Sequence, residues 1–259
     1  MKIVVLVKQV PDTEEERRLD PRTGILDREA GENVPDEISE RALEVALQYK
    51  DDHQDTEVVV LSMGPDTLLK SLRKMLSMGA DAAVHVLDDA LAGADAPRTA
   101  RVLAAALERT GYDLVVAGNE STDGRGGVVP AMVAEHLRLP LLPSLDAVDI
   151  RADAVSGHCT VDGGSLSLRA ALPAVVSVTE RAAEARFPNF KGIMKAKKKP
   201  LDTFSLAELD LDPAALGGGA RSVVVSVEER PARTAGRKLV DDGGAAGELV
   251  EFLVAGRLI

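Results

Sequence analysis

The sequence predicts an α/β fold, a parallel sheet with helices on both faces. Continuous apolar runs of strand length recur: KIVVLV at 2–7, EVVVLS at 57–62, DLVVA at 113–117 and AVVSVT at 174–179. Runs without polar alternation suit strands buried on both faces. Between them lie segments of helical period, and strand–helix–strand spacing of this kind builds βαβ units. The length, 259 residues, is large for one domain but allows a single core with appendages.

The elements follow in order. After the first strand, residues 11–35 form a polar excursion with Pro11, Pro21, Gly24, Gly31 and Pro35. Excursions this long are functional or partly folded as a hairpin. Asp36 reads as an N-cap, and Ile38, Ala42, Val45, Ala46 and Tyr49 supply the period of the helix after it. The second strand, 57–62, ends in a Gly64-Pro65 turn. Asp66 then caps a helix through Met78, and Gly79 ends it. Val84–Leu87 is a third strand, Ala96–Arg109 an Ala/Leu-rich helix, and Asp113–Ala117 a fourth strand. After Pro140 the character changes. Leu145–Ile150, Ser156–Thr160 and Ser165–Leu168 read as short strands, and Ala174–Thr179 returns to a buried one. Arg186–Pro200 is basic and irregular. The tail from Leu201 has a break at Gly219, a late strand at Ser222–Val227 and a final helix at Ala246–Ala255. No internal repeat is visible. Residues 1–185 therefore read as the α/β domain, 186–200 as a projecting loop and 201–259 as an arm. So thin an arm needs a partner chain to pack on.

Composition narrows the function. Thirty-one basic and 42 acidic residues leave a net charge of −11, which disfavours a nucleic-acid surface. No run of 18 apolar residues predicts a membrane span. The start reads as a strand and not as a signal peptide. The single cysteine, Cys159, allows neither an internal disulfide nor a cysteine metal cluster, and a cytoplasmic location is expected. With no Trp, two Tyr and four Phe, the core must be built from Ala, Val and Leu.

Two segments could carry chemistry. The first is AGNESTDGRGGVV at 117–129. A Gly-rich loop leading from a strand into a helix lets backbone N–H groups approach a phosphate, at the strand end where open α/β sheets bind ligands. It is neither a Walker loop nor G-x-G-x-x-G, and a ligand-free turn remains the plain alternative. The second is RFPNFKGIMKAKKK at 186–199. Five lysines in an acidic protein surround Phe187, Phe190, Ile193 and Met194, while Pro188 and Gly192 argue against a regular helix there. It is either a solvated basic loop with its Phe side chains in the core, or an anchor for an acidic partner. The histidines, His53, His85, His136 and His158, show no metal-ligand spacing, and Cys159 has no nucleophile context. The reading is of a protein without catalytic residues of its own.

The stretches KIVVLVKQVPDT, DEISERALEVAL, LSMGPD, SMGADAAVHV, AGNESTDGRGG, LPAVVSVTE, GIMKAKKKP and RTAG resemble the beta subunit of electron-transfer flavoprotein, of the FixA-like, actinobacterial type. They occur in the family's order over nearly the whole chain. The resemblance implies a Rossmann-like, adenine-nucleotide alpha-hydrolase-like sandwich whose C-terminal arm embraces an alpha subunit. It implies a heterodimer with one FAD, held mainly by alpha, and a structural AMP in beta. Electrons would come from acyl-CoA and related dehydrogenases and leave to a quinone oxidoreductase or another acceptor. Position by position, the implied AMP site comprises Leu6, Asp36, Glu37, Ile38, Ser39, Met63 and the loop Gly118, Asn119, Glu120, Ser121, Thr122, Asp123, Gly124, Arg125, Gly126, Gly127, Val128 and Val129. Ile38 would also approach the flavin ring. The implied partner surface is Phe187, Phe190, Ile193, Met194, Lys195, Lys197 and Lys198, with Phe190 at an anchor position that is usually Leu.

The chain departs from the family at Asp162-Gly163-Gly164-Ser165, which is followed by Leu166 where an acidic residue is usual; Cys159 stands where a basic one is expected. This bears on contacts with the mobile flavin domain. Asp123-Gly124-Arg125-Gly126-Gly127 does not match the D-G-D-T-A-Q loop of members with a second FAD, which favours AMP. The rival reading is a stand-alone nucleotide-binding protein of the universal-stress type, which would need neither the arm nor the lysine-rich segment.

Overall fold

The structure is a computed structural model, and it describes all residues except 215, 217–221, 223 and 237. Strand β1 (Lys2–Leu6) buries side chains of both parities. Ile3 and Val5 enter one core, and Val4 and Leu6 enter another. Alternate side chains point to opposite faces, so a strand with no polar alternation requires cover on both. The excursion after it is closed at its base by β2 (Gln9–Pro11) pairing antiparallel with β3 (Asn33–Pro35), and Leu19 bridges Leu26 within it.

Helix α1 (Glu37–Asp52) starts at Asp36, whose carboxyl accepts from Ile38 N. Strand β4 (Glu57–Met63) leads to α2 (Leu68–Met78). Here the structure corrects the predicted cap. Asp66 lies outside the helix, and Thr67 at the N-cap makes no side-chain cap. Thr67 already has helical dihedrals (φ −59°, ψ −20°), whereas a capping side chain needs an extended backbone. Strand β5 (Ala82–Val86), helix α3 (Ala96–Thr110), strand β6 (Leu114–Gly118) and helix α4 (Val129–Leu137) follow.

Strand β7 (Leu141–Leu145) was not expected. It carries Pro143, which a ladder tolerates only at an edge, and β7 is an edge of the main sheet. Strands β8 (Ala147–Ile150), β9 (Ala154–Val161) and β10 (Gly164–Ala171) form an antiparallel sheet of three. Strand β11 (Ala174–Val178) returns to the main sheet.

The segment expected to be irregular contains helix α5 (Phe190–Ala196). Asn189 caps it, accepting from Gly192 N at 2.8 Å. A side chain at Gly192 would place Cβ 2.3 Å from the Ser77 carbonyl oxygen. Gly192 therefore permits close docking on α2 and does not break the helix. Arg73 of α2 donates to the Ala196 and Lys199 carbonyls, and Lys199 Nζ donates to Leu76 O and Ala80 O at the end of α2. Cations suit helix C-termini, so Lys199 is spent on fastening α5.

Strand β12 (Leu201–Phe204) pairs parallel with β5. The main sheet thus has seven parallel strands in the order β12-β5-β4-β1-β6-β11-β7. One face is covered by α1 and α2, the other by α3 and α4. Leu206, Leu209 and Leu216 join the second core, and the compact unit runs from Met1 to Ser226. The domain read as 1–185 accordingly extends into residues first assigned to the arm. The remaining unit, Val227–Ile259, contains α6 (Ala245–Ala255), none of whose residues is buried. Of the strand expected at Ser222–Val227, Val223 lies outside the described residues and Val224–Val227 is irregular; the break at Gly219 also lies outside them.

Candidate functional site

The loop after β6 and the first turn of α1 meet at the carboxyl edge of the sheet. Asp36 joins them. One carboxyl oxygen accepts from Ile38 N at 3.0 Å, and the other accepts from the N–H and hydroxyl of Thr122 at 2.7 and 2.8 Å. The side chain read as a helix cap is also the pin for the Gly-rich loop. Ser39 accepts from Lys8 N at 3.3 Å, which ties the end of β1 to the same point. Leu6 and Ile38 are buried, Met63 is partly buried at the end of β4, and Glu37 is exposed. Ile38 packs on Gly118, where a Cβ would lie 3.0 Å from its Cγ2.

Within the loop, Asn119 N bonds Val178 O, and Arg125 N bonds Ser121 O. Arg125 (φ 47°) and Gly127 (φ 64°) adopt left-handed backbone. Glu120 lies 4.0 Å from Arg125. A Cβ on Gly126 would meet no atom within 4 Å, so the backbone there faces open space. Val128 precedes α4, which has no side-chain cap. The buried Asn119 Oδ1 has no hydrogen-bond partner. An acceptor without a donor, beside exposed glycine backbone and an uncapped helix N-terminus, fits a nucleotide, which supplies amine and hydroxyl donors as well as phosphate oxygens.

Three cations that sequence reading missed gather at the loop, two on Asp123 and one on Thr122. Lys8 Nζ lies 2.6 Å from the Asp123 carboxylate and 3.0 Å from Ser121 Oγ, and Arg28 donates to that carboxylate at 2.8 Å. Arg17 bonds the Thr122 carbonyl and hydroxyl. Arg17 and Arg28 belong to the excursion, which has no period to reveal their aim; Lys8, one residue past the first apolar run, was the available signal. The Asp123 side chain is 1% exposed. Burial raises its pKa, but the bonds from Lys8, Ser121 and Arg28 outweigh this and hold it well below the ordinary 3.8. A carboxylate depressed in the folded state contributes stability above its unfolded pKa and loses it as pH falls through the folded value. Wild type is therefore expected to lose stability more steeply than Asp123→Asn below about pH 4. Urea midpoints from pH 5 down to 2.5 check this; parallel curves would remove Asp123 as the cause.

The predicted partner surface stands apart from this loop. Phe187 is 92% exposed and Phe190 80%, and Ile193, Met194, Lys195, Lys197 and Lys198 are also exposed. Arg186, just before them, is held by Glu44 and Asp51 at 2.7 Å each. His85 is buried with Nε2 on the Gly64 carbonyl, His53 stacks on Tyr49, and Cys159 is buried in β9. Among the described residues no group of His, Cys, Asp and Glu could hold a metal, and no helix is long and apolar enough to cross a membrane.

Fold and loop together define a Rossmann-like α/β protein with a Gly-rich loop at the carboxyl edge of its sheet. A model of the electron transfer flavoprotein domain matches residues 23–209. The chain is 48% identical to electron transfer flavoprotein subunit beta of Mycobacterium leprae over 264 residues, covering 99% of each. The same subunit of Mycobacterium tuberculosis is also 48% identical, over 263 residues and 99% of each. The caffeyl-CoA reductase–Etf complex subunit CarD of Acetobacterium woodii is 32% identical, over 98% of this chain and 97% of its own. The chain belongs to the electron transfer flavoprotein family, on its beta-subunit branch, and a role in electron transfer goes with that membership.

Proposed function

We propose that this chain is the beta subunit of a heterodimeric electron carrier and holds one AMP at the Gly118–Val129 loop. The observation that carries the nucleotide is the loop itself: open backbone at Gly126, the unpartnered Asn119 Oδ1 and the uncapped start of α4. Leu6, Ile38 and Met63 would wall the base, while the N–H groups from Gly126 onward would face the phosphate. AMP supplies no redox chemistry; FAD, held mainly by the alpha subunit, would carry the electrons. This chain's part is then to bind, orient and dock. The arm of residues 227–259 would pack on alpha, consistent with an α6 that buries nothing of its own. The segment around Phe190 would dock acyl-CoA-type dehydrogenases, and a quinone oxidoreductase or another acceptor would receive the electrons. Denaturing the purified heterodimer is expected to release AMP in about one-to-one ratio with this chain, a bound ligand being a native-state stabiliser. Release of two FAD and no AMP would instead group it with members that carry a second flavin in beta.

A further inference from the structure

The polar excursion that joins β2 to β3 has no core of its own: no residue from Asp12 to Val34 is buried. It closes at its foot, where Asp12 N bonds Glu32 O just beyond the β2–β3 pairing. Its far half holds itself together through bonds from Asp20 N to Ile25 O, Gly24 N to Asp20 O and Asp27 N to Arg18 O. Hydrophobic burial therefore does not fix the excursion to the domain, and a segment with few buried contacts opens at low free energy. Surface contacts help to hold it: Lys70 pairs with Glu32 between two exposed side chains, and the exposed Val224 lies against Gly24. Two arginines tie it to the Gly-rich loop.

Arg17 bonds the Thr122 carbonyl and hydroxyl, and Arg28 lies 2.8 Å from one oxygen of Asp123. The opposite half of each grip comes from the domain. Asp36 accepts from Thr122 N, and Lys8 Nζ donates to the other Asp123 oxygen. Thr122 is thus held at both its N–H and its carbonyl, and Asp123 at both carboxylate oxygens. Bonds from a charged donor are about twice as strong as neutral ones, so the strap-side half of each grip is a real restraint. The gripped pair stands in the chain between Asn119, with its unpartnered Oδ1, and Gly126, with its open backbone. One ligand can meet both only while the centre of the loop keeps its shape. We infer that residues 12–34 form a strap latched to this loop by Arg17 and Arg28, and that unlatching sets the rate at which a bound nucleotide leaves. The two arginines are positioning residues, acting through Thr122 and Asp123. This rests on reading the loop as a nucleotide site.

The test uses the heterodimer loaded with radiolabelled AMP and chased with unlabelled AMP. Two variants remove the latch in different ways. One carries Arg17→Met and Arg28→Met together. The other replaces residues 13–31 by Asn-Gly, a two-residue turn that closes the β2–β3 hairpin between Asp12 and Glu32. Both are expected to release AMP about tenfold faster than wild type or more, and at the same rate as each other. Without nucleotide both are expected to melt with wild type, because the strap buries nothing. Arg22→Ala, at the exposed tip, is expected to release AMP as wild type does. Wild-type release from the deletion would overturn the inference, since the strap would then not govern the site. Fast release from the deletion but not from the double variant would also overturn it, by taking the latch away from Arg17 and Arg28. So would a nucleotide-free variant that melts well below wild type, which would make the strap a part of the fold. Failure of the loop reading looks different: wild type itself would take up no label, and the inference would fall with that reading.

Discussion

Replacing Phe190 by alanine is expected to slow electron transfer from a partner dehydrogenase by roughly tenfold or more at sub-saturating concentration. Truncating a central aromatic anchor commonly costs about 2 kcal/mol of binding, and about 1.4 kcal/mol is a factor of ten. Phe190 opens α5 and is 80% exposed, so its removal takes nothing from either core. Melting temperature and flavin content should barely move. The helix beneath it is fixed by Arg73, Lys199 and the close approach at Gly192, so docking through Phe190 would cost little backbone ordering. Changing Lys197 and Lys198 to alanine should act otherwise. Both are exposed, and their loss should lower the association rate by an amount that shrinks as salt rises. Stopped-flow reduction by a dehydrogenase and thermal melting of the same samples decide the matter. Should Phe190→Ala unfold the heterodimer while coupling per folded molecule stays intact, Phe190 serves the fold and not docking.

Asp36→Ala should have the largest effect on stability. The side chain is fully buried and serves three donors, Ile38 N, Thr122 N and the Thr122 hydroxyl. Losing an N-cap costs about 1 kcal/mol, and leaving partly buried donors unpaired adds about 1–3 kcal/mol. A total of about 2–3 kcal/mol follows, allowing for the partial exposure of Thr122. It should appear as a lower urea midpoint at unchanged slope. AMP affinity should fall with it, because the loop loses its tie to α1. Asp36→Asn, which keeps one acceptor, should lose less. A shift of Asp36→Ala within about 0.5 kcal/mol, the usual range for surface changes, would show that the loop is held by other contacts.

Both predictions begin from residues that the sequence already singled out, but for reasons it displayed only in part. The first strand, the strands at 57–62 and 113–117 and the helices between them were legible because burial pattern and period are local properties. So was the Gly-rich loop, since glycines between a strand and a helix permit backbone approach wherever they occur. Asp36 was legible as a cap from its place before an apolar period, yet its second role depends on Thr122, 86 positions away. Lys8, Arg17 and Arg28 were invisible as a group because nothing in a polar excursion announces where it folds back.

What the sequence by itself determined is the parallel α/β sheet, the position of the candidate crevice at its carboxyl edge, and the lysine-rich segment as a feature apart from the core. Apolar run length, helical period and residue type decide these, and each acts over a few neighbouring residues. Only the tertiary structure decided that LLPSL and LDTF become the two edge strands, because their pairing comes from the free edges of β11 and β5. It likewise decided that Gly192 admits a helix against Ser77, and that Asp123 is buried under Lys8 and Arg28.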